Sequence, residues 1–257
     1  MTSSAPSSPS PAAQDDDVAY AAHLVNSVVL PMALNAAVEL ELFEVMARLD
    51  QGGGLTADVI AAELKTSNAE APAMLDRILW LLASHDIVRC AATPGGGGAR
   101  VYSLAPVCKC FVKNDKGVSF GPVLNLIQDR VFIDSWFHLK DAVLEGGVPF
   151  DRAHGMHAFE YPGKDQRFNQ IFNEAMSNRT TIFMSSMLEG YKGFEHVSRV
   201  VDVGGGIGVS ASMITAKYPH IKAINFDLPH VIQNAPSYPG EMSLPCNLKH
   251  FTKMQFS

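Results

Sequence analysis

The residues best suited to chemistry lie late in the chain, in the run Val-Val-Asp-Val-Gly-Gly-Gly-Ile-Gly at positions 200–208. Its β-branched start predicts a β-strand, and its glycines predict a tight turn that lets the backbone approach a ligand closely. A helix to about Tyr218 and a second strand, residues 221–226, follow and end in Asp227. This order predicts a β-α-β unit that binds a nucleotide-type cofactor, with Asp227 placed to accept ribose hydroxyls.

Two cofactors are compatible with the turn. Read from Gly206, the spacing Gly-x-Gly-x-x-Ala is that of a dinucleotide-binding loop, which would indicate an NAD-dependent oxidoreductase. Read from Asp202, the spacing Asp-x-Gly-x-Gly-x-Gly over Gly204, Gly206 and Gly208 is that of S-adenosylmethionine (SAM) methyltransferases. A carboxylate at position 202 repels a pyrophosphate but suits the cationic sulfonium and amino end of SAM. The acid therefore favours SAM.

The composition limits the class of protein. A chain of 257 residues with 47% hydrophobic and 18% charged residues predicts one or two globular domains with a real core. The net charge of −6 argues against a nucleic-acid partner, and no run reaches the roughly 20 apolar residues that span a bilayer. Residues 1–17 lack the basic and apolar segments of a secretory signal, and their Ser/Pro/Ala bias predicts a disordered tail. We therefore expect a cytoplasmic protein without a membrane partner.

The cysteines predict no metal site. Cys108 and Cys110 would form one half of such a site, but no second pair lies at zinc-ligand spacing. Reduced, structural cysteines are the expectation.

The upstream half has a helical pattern from Val18 to about Leu49, which Pro31 is expected to interrupt. The stretch is apolar on more than one face, so it must be buried either in a core or against a partner subunit, and the sequence favours neither. Thr56 is expected to cap a helix over residues 57–64, and Asn68 a helix over residues 69–84.

Two strand-like runs, residues 87–91 and 100–104, flank a glycine-rich tip and predict a hairpin. Helix, helix, hairpin is the order of a winged-helix unit. Its second helix carries Arg77 beside Glu70 and Asp76, so it lacks the positive charge that drives binding to DNA phosphates. We expect the wing to be structural.

The region from Val118 to Gly190 is mainly helical in pattern. One of its helices has an apolar stripe that alone is typical of a packed core. Aromatic and methionine side chains also suit a pocket for a flat aromatic ligand. The stripe consists of Phe168, Ile171, Phe172, Ala175 and Met176.

Several runs resemble plant caffeic-acid-type O-methyltransferases over roughly residues 18–240. They are Val-Asp-Val-Gly-Gly-Gly-Ile-Gly at 201–208, Lys-Tyr-Pro at 217–219, Asn-Phe-Asp-Leu-Pro-His-Val-Ile at 225–232, Ser-Trp-Phe-His-Leu-Lys-Asp-Ala at 135–142, Gly-Gly-Val-Pro-Phe at 146–150 and Ala-Phe-Glu-Tyr at 158–161. The resemblance implies an α/β chain with a helical N-terminal part: a winged-helix-type dimerisation domain, then a Rossmann-like SAM methyltransferase domain. It implies methyl transfer to a phenolic hydroxyl of a small plant aromatic, a phenylpropanoid or flavonoid, by a homodimer.

On this basis we expect a tail at residues 1–17, a dimerisation domain at 18–112 and an O-methyltransferase domain at 113–257. The last divides into a helical substrate part (113–198), a truncated Rossmann-like part (199–240) and a divergent tail (241–257).

The resemblance also implies site residues. Expected at the cofactor are Asp202, Gly204, Gly206, Gly208, Asp227 and Leu228, and expected at the phenol are Phe132, Ala158, Phe168, Phe172 and Met176. Three positions depart from the family around the ring substituents: Ile127 stands where Asn is typical, and Pro162 and Arg179 where His is typical. Polar partners for a hydroxycinnamate are missing there, so a flavonoid or another phenol is expected as readily as caffeate.

Beyond Gly240 the resemblance ends. The family continues into a strand ending in Gly-Asp-Met and later a histidine that acts as general base, and residues 241–257 match neither. His250 in this tail is expected at the surface, so no catalytic residue is assigned. With only two strands of a seven-strand sheet kept, the domain after Arg199 is expected to be marginally stable, with an exposed apolar edge at valines 200, 201 and 203.

Three functions follow as alternatives. The first is a SAM-dependent phenol O-methyltransferase. The second is a catalytically inactive truncated form that acts only through dimerisation. The third, the NAD-dependent oxidoreductase, is disfavoured by Asp202 and by the long helical region upstream of the glycine turn.

Overall fold

The computed structural model describes residues 11–93 and 98–245, and the chain divides into two compact units, Met1–Ala105 and Pro106–Ser257. The described part of the first unit consists of α1 (Pro11–Val25), α2 (Val29–Glu39), α3 (Leu42–Leu49), α4 (Ala57–Glu63), α5 (Ala71–Ala83), β1 (Val88–Ala92) and β2 (Arg100–Leu104). The two strands pair antiparallel. The predicted order of helix, helix and hairpin is confirmed.

The N-terminal helices differ from the prediction in two ways. Residues 11–17, expected to be disordered, begin α1, because proline is tolerated at a first helical position and alanines follow it. The break between α1 and α2 falls at residues 26–28, where the Asn26 side chain donates to the carbonyl of Ala22 at 2.8 Å. Pro31 lies in the first turn of α2, where its missing N–H has no helical partner to lose.

Capping explains where the next two helices begin. Thr56 accepts a hydrogen bond from the Val59 amide at 3.4 Å and caps α4, as predicted. Asn68 instead accepts from the Glu70 amide at 3.0 Å, and α5 begins only at Ala71. Pro72 sets this start, because it must sit in a first turn.

The first unit has a fully buried apolar core, whose largest members are Leu42, Phe43, Met46, Ile60, Leu79, Leu82 and Tyr102. The hydroxyl of Tyr102 donates to Asp76 Oδ1 at 2.7 Å, and Arg100 forms an ion pair with the same carboxylate. These contacts fasten α5 to the hairpin.

By contrast, the surface of α1 and α2 is apolar and open. Each of its members is 47–80% exposed: Val18, Tyr20, Leu24, Val25, Val28, Val29 and Met32. We predicted that this stretch is buried either in a core or against a partner subunit. These exposed side chains are not buried in the core of their own unit. We call these seven residues the α1–α2 apolar surface.

The second unit begins with helices, which follow a 3-10 turn at Pro106–Cys110. The helices are α6 (Gly121–Ile127), α7 (Arg130–Trp136), α8 (Leu139–Glu145), α9 (Pro149–His154) and the long α10 (Gln166–Gly190). A 3-10 turn at Tyr161–Gly163 precedes α10. Asp165 caps α10 by accepting from the Phe168 amide at 3.0 Å. A core of Leu126, Val131, Phe150, Phe168 and Ala175 joins these helices.

A β-α-β unit follows as predicted: β3 (Arg199–Val203), α11 (Val209–Lys217), β4 (Lys222–Asp227) and the short α12 (Pro229–Ile232). A third strand, β5 (Glu241–Pro245), pairs parallel with β4 and gives the order β3-β4-β5. The expectation that only two strands are kept is therefore wrong. The open edge of β4 offers backbone groups to which a short run can hydrogen-bond, whatever its resemblance to the family.

The valines of β3 divide between the two faces of the sheet. Val200 packs partly against the core of Leu188, Ile214, Tyr218 and Ile221 beneath α11. Val201 and Val203 point to the other face and are 52% and 51% exposed. The predicted apolar exposure is thus seen for Val201 and Val203, and Val200 departs from it because successive side chains of a strand alternate between faces.

No single helix among the described residues is long and apolar enough to cross a bilayer. The pair formed by residues 16–25 and 29–39, bent by 45°, meets the length and composition together.

Candidate functional site

The glycine turn between β3 and α11 depends on left-handed backbone. Gly204, Gly206 and Gly208 have φ values of +74°, +62° and +88°, which side chains rarely tolerate. The amide of Gly204 donates to the carbonyl of Phe226 at 2.7 Å, which holds the turn against the end of β4. A ligand can therefore lie close to the backbone at the start of α11.

The two predicted acids meet at this turn. Asp227 Oδ2 accepts a hydrogen bond from the Gly206 amide at 2.7 Å, and its Oδ1 accepts from the Leu228 amide at 2.6 Å. Asp202 is partly buried, and its Oδ2 has no hydrogen-bond partner within the described structure. Burial, and then the nearby charge of Asp227, raise the pKa of Asp202 above its ordinary value. Asp202 thus offers an unsatisfied acceptor that a cationic donor would satisfy.

A cavity of about 440 Å³ opens over the turn, within the second unit. One wall is the turn with the ends of β3 and β4: Asp202, Gly204, Gly205, Gly206, Ile207, Val209, Ser210, Asp227, Leu228, His230 and Val231. The opposite wall belongs to α10 and the segment before it: Phe159, Pro162, Asn169, Phe172, Asn173, Met176, Ser177 and Thr180. One cavity therefore faces both a cofactor-type turn and a wall with aromatic and methionine side chains.

Family comparisons cover most of the chain. Residues 22–114 match the O-methyltransferase dimerisation domain, and residues 136–251 match the O-methyltransferase domain. A caffeic acid 3-O-methyltransferase of Eucalyptus globulus is 56% identical over 223 residues, which are 86% of this chain and 71% of the relative.

The chain belongs to the SAM-dependent O-methyltransferase family.

Other relatives of this O-methyltransferase-family chain agree. A caffeic acid 3-O-methyltransferase of Catharanthus roseus is 55% identical, and an esculetin O-methyltransferase of Kitagawia praeruptora is 51% identical. The chain spans 61% and 63% of the lengths of these two relatives, and 86% and 88% of its own length is matched.

Solved structures show the same fold. Human N-acetylserotonin methyltransferase in complex with SAM aligns with a TM-score of 0.72 at 21% identity, over 95% of this chain and 68% of that one. The SAH-bound methyltransferase CalO1 of calicheamicin biosynthesis aligns with a TM-score of 0.68 at 19% identity, over 93% and 68%. The predicted winged-helix-type unit and Rossmann-like methyltransferase fold are confirmed, and the NAD alternative is set aside.

The domain match extends to residue 251, past Gly240, where the resemblance was expected to end. His250 and the rest of residues 246–257 lie outside the described structure.

Five of the six predicted cofactor residues line the cavity of this O-methyltransferase-family chain: Asp202, Gly204, Gly206, Asp227 and Leu228. Gly208 is not among the lining residues, because it is buried where α11 begins. Its positive φ instead lets the chain enter the helix. We infer a structural role for it in the turn.

The predicted substrate residues divide into wall and core. Phe172 and Met176 line the cavity. Phe168 is fully buried and, with Phe132 and Ala158, belongs to the core beneath the wall. Each step of four residues turns a helix by about 40°, so Phe168 is rotated about 80° from Met176, toward the rings of Phe132 and Tyr161. For these three the direct contact implied by the resemblance is not seen in the cavity wall.

A row of polar residues on the same helix was not predicted from the sequence. Asn169, Asn173, Ser177 and Thr180 line the cavity beside the apolar stripe, and Asn173 Nδ2 donates to Asn169 Oδ1 at 3.1 Å. Their spacing of four, four and three residues was visible in the sequence and is that of one helix face. The α10 wall therefore carries a polar row of side chains next to an apolar one.

Three positions depart from the family, and one of them, Pro162, lines the cavity. Ile127 is 46% exposed at the end of α6, and Arg179 is exposed with its guanidinium 5.9 Å from the Phe183 ring. The expectation that all three surround the ring pocket is wrong for these two. His230 was also missed: its ring packs against Gly163, and burial lowers its pKa.

Among residues 11–93 and 98–245, no three His, Cys, Asp or Glu side chains are grouped as metal ligands would be.

Proposed function

We propose that this chain binds SAM and a small phenol in the cavity between the glycine turn and α10, and that its function is methyl transfer to the phenolic hydroxyl. The observation that carries the proposal is the cavity itself, which joins the turn and its two acids to the aromatic and polar wall of α10. Membership of the family does not by itself specify a phenol as the substrate. That part of the proposal rests on the chemistry of the α10 wall.

The residues present fit SAM. Asp227 lies at the end of β4, where a carboxylate can accept ribose hydroxyls, and the backbone at Gly204 and Gly206 carries no side chain to obstruct a ligand. The unsatisfied Oδ2 of Asp202 suits the cationic amino end. When bound, SAM supplies a methyl group on a positively charged sulfur. The chain's own residues bind and orient it.

The α10 wall fits a hydroxylated ring. Phe172 and Met176 offer ring-face and sulfur contacts, and Asn173 and Ser177 offer hydrogen bonds beside them. A planar phenol with further hydroxyls, such as a phenylpropanoid or a flavonoid, can pack its ring on the apolar side chains and hydrogen-bond to the polar ones at the same time. Relatives named for caffeic acid and esculetin act on phenols of this kind.

The described residues are proposed to bind and position, not to deprotonate. A phenol of pKa near 10 is only about one part in a thousand ionised at pH 7, a cost of about 4 kcal/mol. Orientation next to an electrophile contributes to rate without a base, and a base adds roughly 10²–10⁴-fold. The family's general-base histidine was expected beyond Gly240, and no described residue is assigned that role.

A second function, dimerisation, is favoured by the α1–α2 apolar surface. Most of this exposed surface lies within residues 22–114, which match the dimerisation domain. We propose a homodimer that buries it, because large exposed apolar patches mark partner surfaces. The same surface would let a chain with low activity pair with a full-length relative. A cytoplasmic location, without nucleic-acid or membrane partners, is part of the proposal.

The experiment for the cavity is calorimetric titration of the 257-residue chain with S-adenosylhomocysteine (SAH), the demethylated form of SAM, followed by a catechol in its presence. Binding of both, with loss of SAH binding on Asp227→Ala, is the expected result. Saturating binding of NAD with none of SAH would overturn the proposal.

A further inference from the structure

Two side chains of strand β4 contact the backbone of Gly206 in the glycine turn. Asn225 and Asp227 are two residues apart on β4, so their side chains leave the same face of the strand. Asn225 Nδ2 donates to the Gly206 carbonyl at 3.0 Å, and the Gly206 amide donates to Asp227 Oδ2 at 2.7 Å. The N–H and the C=O of one glycine are therefore both held by side chains of β4.

Gly206 borders open space. A Cβ built on it would meet no atom within 4 Å apart from its two chain neighbours, and its φ of +62° is left-handed. Glycine is also the residue with the most backbone freedom to lose. The two hydrogen bonds from β4 are the described contacts that restrict it.

Asn225 is a polar residue at a fully buried position of the sheet. It is fully buried at the centre of the three-stranded sheet, with Asp202 and Ser243 as cross-strand neighbours on β3 and β5. Burial of an amide is unfavourable unless its hydrogen bonds are made. Its Nδ2 is satisfied by Gly206 and, at 3.4 Å, by Ser243 Oγ, whereas its Oδ1 is buried without a partner.

The same amide adjoins the acid of the cofactor wall. A Cβ built on Gly205 would lie within 3.0 Å of both Asn225 Oδ1 and Asp202 Oδ2, so both oxygens crowd this residue. Both are buried acceptors without a hydrogen-bond donor among the described residues. A side chain at position 205 would displace these oxygens, so glycine lets the backbone pass beside Asn225 and Asp202.

We propose that Asn225 is a positioning residue of the cofactor site: its side-chain amide fixes the carbonyl of Gly206, so that the turn beside Asp202 is shaped before SAM arrives. Asn225 does not line the cavity and acts through the turn. The inference rests on the proposed function, because it concerns the same cofactor.

The test is the affinity of the full chain for SAH in Asn225→Leu, which keeps the branching of the side chain and removes the donor. Thr215→Val is the matched control: Thr215 is buried in α11 and donates to the carbonyl of Ala211 at 3.1 Å, outside the cavity. We expect SAH affinity to fall about tenfold or more in Asn225→Leu. In Thr215→Val the SAH affinity should stay within about twofold of the wild type. The two variants should lose similar stability in urea. Equal affinities of Asn225→Leu and the wild type would overturn the inference, as would an equal loss in the control.

Asn225→Asp keeps the test decisive if the leucine variant does not fold. In this variant a protonated carboxyl group can donate to the Gly206 carbonyl, and an ionised one cannot. The ratio of variant to wild-type dissociation constants should therefore fall as pH decreases from 8 to 5, while a constant ratio would overturn the inference. The ionisable neighbours Asp202 on β3, Asp227 on β4 and His230 on α12 are present in the wild type as well, so the comparison at each pH accounts for them. Failure of the wild type to bind SAH would instead contradict the proposed function.

Discussion

The Gly206 amide lies 2.7 Å from Asp227 Oδ2, so the acid expected to hold the cofactor's ribose also holds the glycine turn. This one carboxylate therefore connects the end of β4, the turn and the cavity. A change at Asp227 should act on cofactor binding both directly and through the shape of the turn.

Replacement of Asp227 by alanine is expected to weaken SAH binding by about 100-fold, because a charged acceptor for the ribose hydroxyls and the hydrogen bond from the Gly206 amide would be lost together. Calorimetric titration measures it. Asp134→Asn, an exposed acid on α7, is the control and should bind SAH as the wild type does. A loss in the control equal to that in Asp227→Ala would show that charge alone is responsible.

Replacement of Asp202 by asparagine is expected to stabilise the protein at pH 8 more than at pH 5. The pKa of Asp202 is raised above its ordinary value of 3.8 by burial and by Asp227. A raised pKa favours the folded state while the group is protonated, and this contribution is lost as pH rises through the folded-state pKa. Asparagine does not ionise and can donate to Asn225 Oδ1.

Urea midpoints at the two pH values measure the effect, which should be on the order of 1 kcal/mol at pH 8. SAH binding should weaken in the same variant, because the anionic partner of the amino group is gone. An equal shift of the urea midpoint at both pH values would exclude ionisation of Asp202 as the cause.

Phe168 and Phe172 should separate the core from the cavity wall. Phe168→Ala removes a fully buried ring from the core and should cost about 3–5 kcal/mol in the free energy of unfolding. Phe172→Ala should cost less but raise the dissociation constant for a catechol about tenfold or more, since its ring faces the cavity. Urea denaturation and catechol titration in the presence of SAH distinguish the two. Equal effects of both substitutions on both measurements would contradict this division.

The α1–α2 apolar surface should carry the dimer. The double substitution Leu24→Glu and Val28→Glu places charge on side chains that are 53% and 61% exposed, and should convert the dimer to a monomer in light scattering. Val59→Glu on α4, 46% exposed, is the control and should remain dimeric. A double variant that stays dimeric at micromolar concentration would place the interface elsewhere.

Local features of the fold could be predicted from the sequence. The β-α-β unit is encoded by β-branched runs and by glycines, and Thr56 caps its helix through a side chain three residues from its partner. Strand β5 could not be predicted this way: it is short and ends in Pro245. It exists because β4 presents an open edge, which is a property of the fold, not of residues 241–245.

The site shows the same limit. That Asp202, Gly206 and Asp227 meet at one turn could be predicted, because a β-α-β unit brings the ends of its two neighbouring strands together. Phe168 was assigned to the phenol and belongs to the core, because which part of a helix faces a cavity is set by its neighbours in three dimensions. Asn225 was missed for a similar reason, since only the pairing of β3 with β4 places it beside Asp202.

The most direct test of the account is transfer of a labelled methyl group from SAM to a panel of catechols and flavonoids by the 257-residue chain. We expect label on a phenolic oxygen above the no-enzyme level, with a strong reduction in Asp227→Ala and a smaller one in Phe172→Ala. Label transfer that neither substitution affects would contradict the assignment of this cavity, and no transfer to any phenol by a chain that binds SAH would contradict the proposed activity.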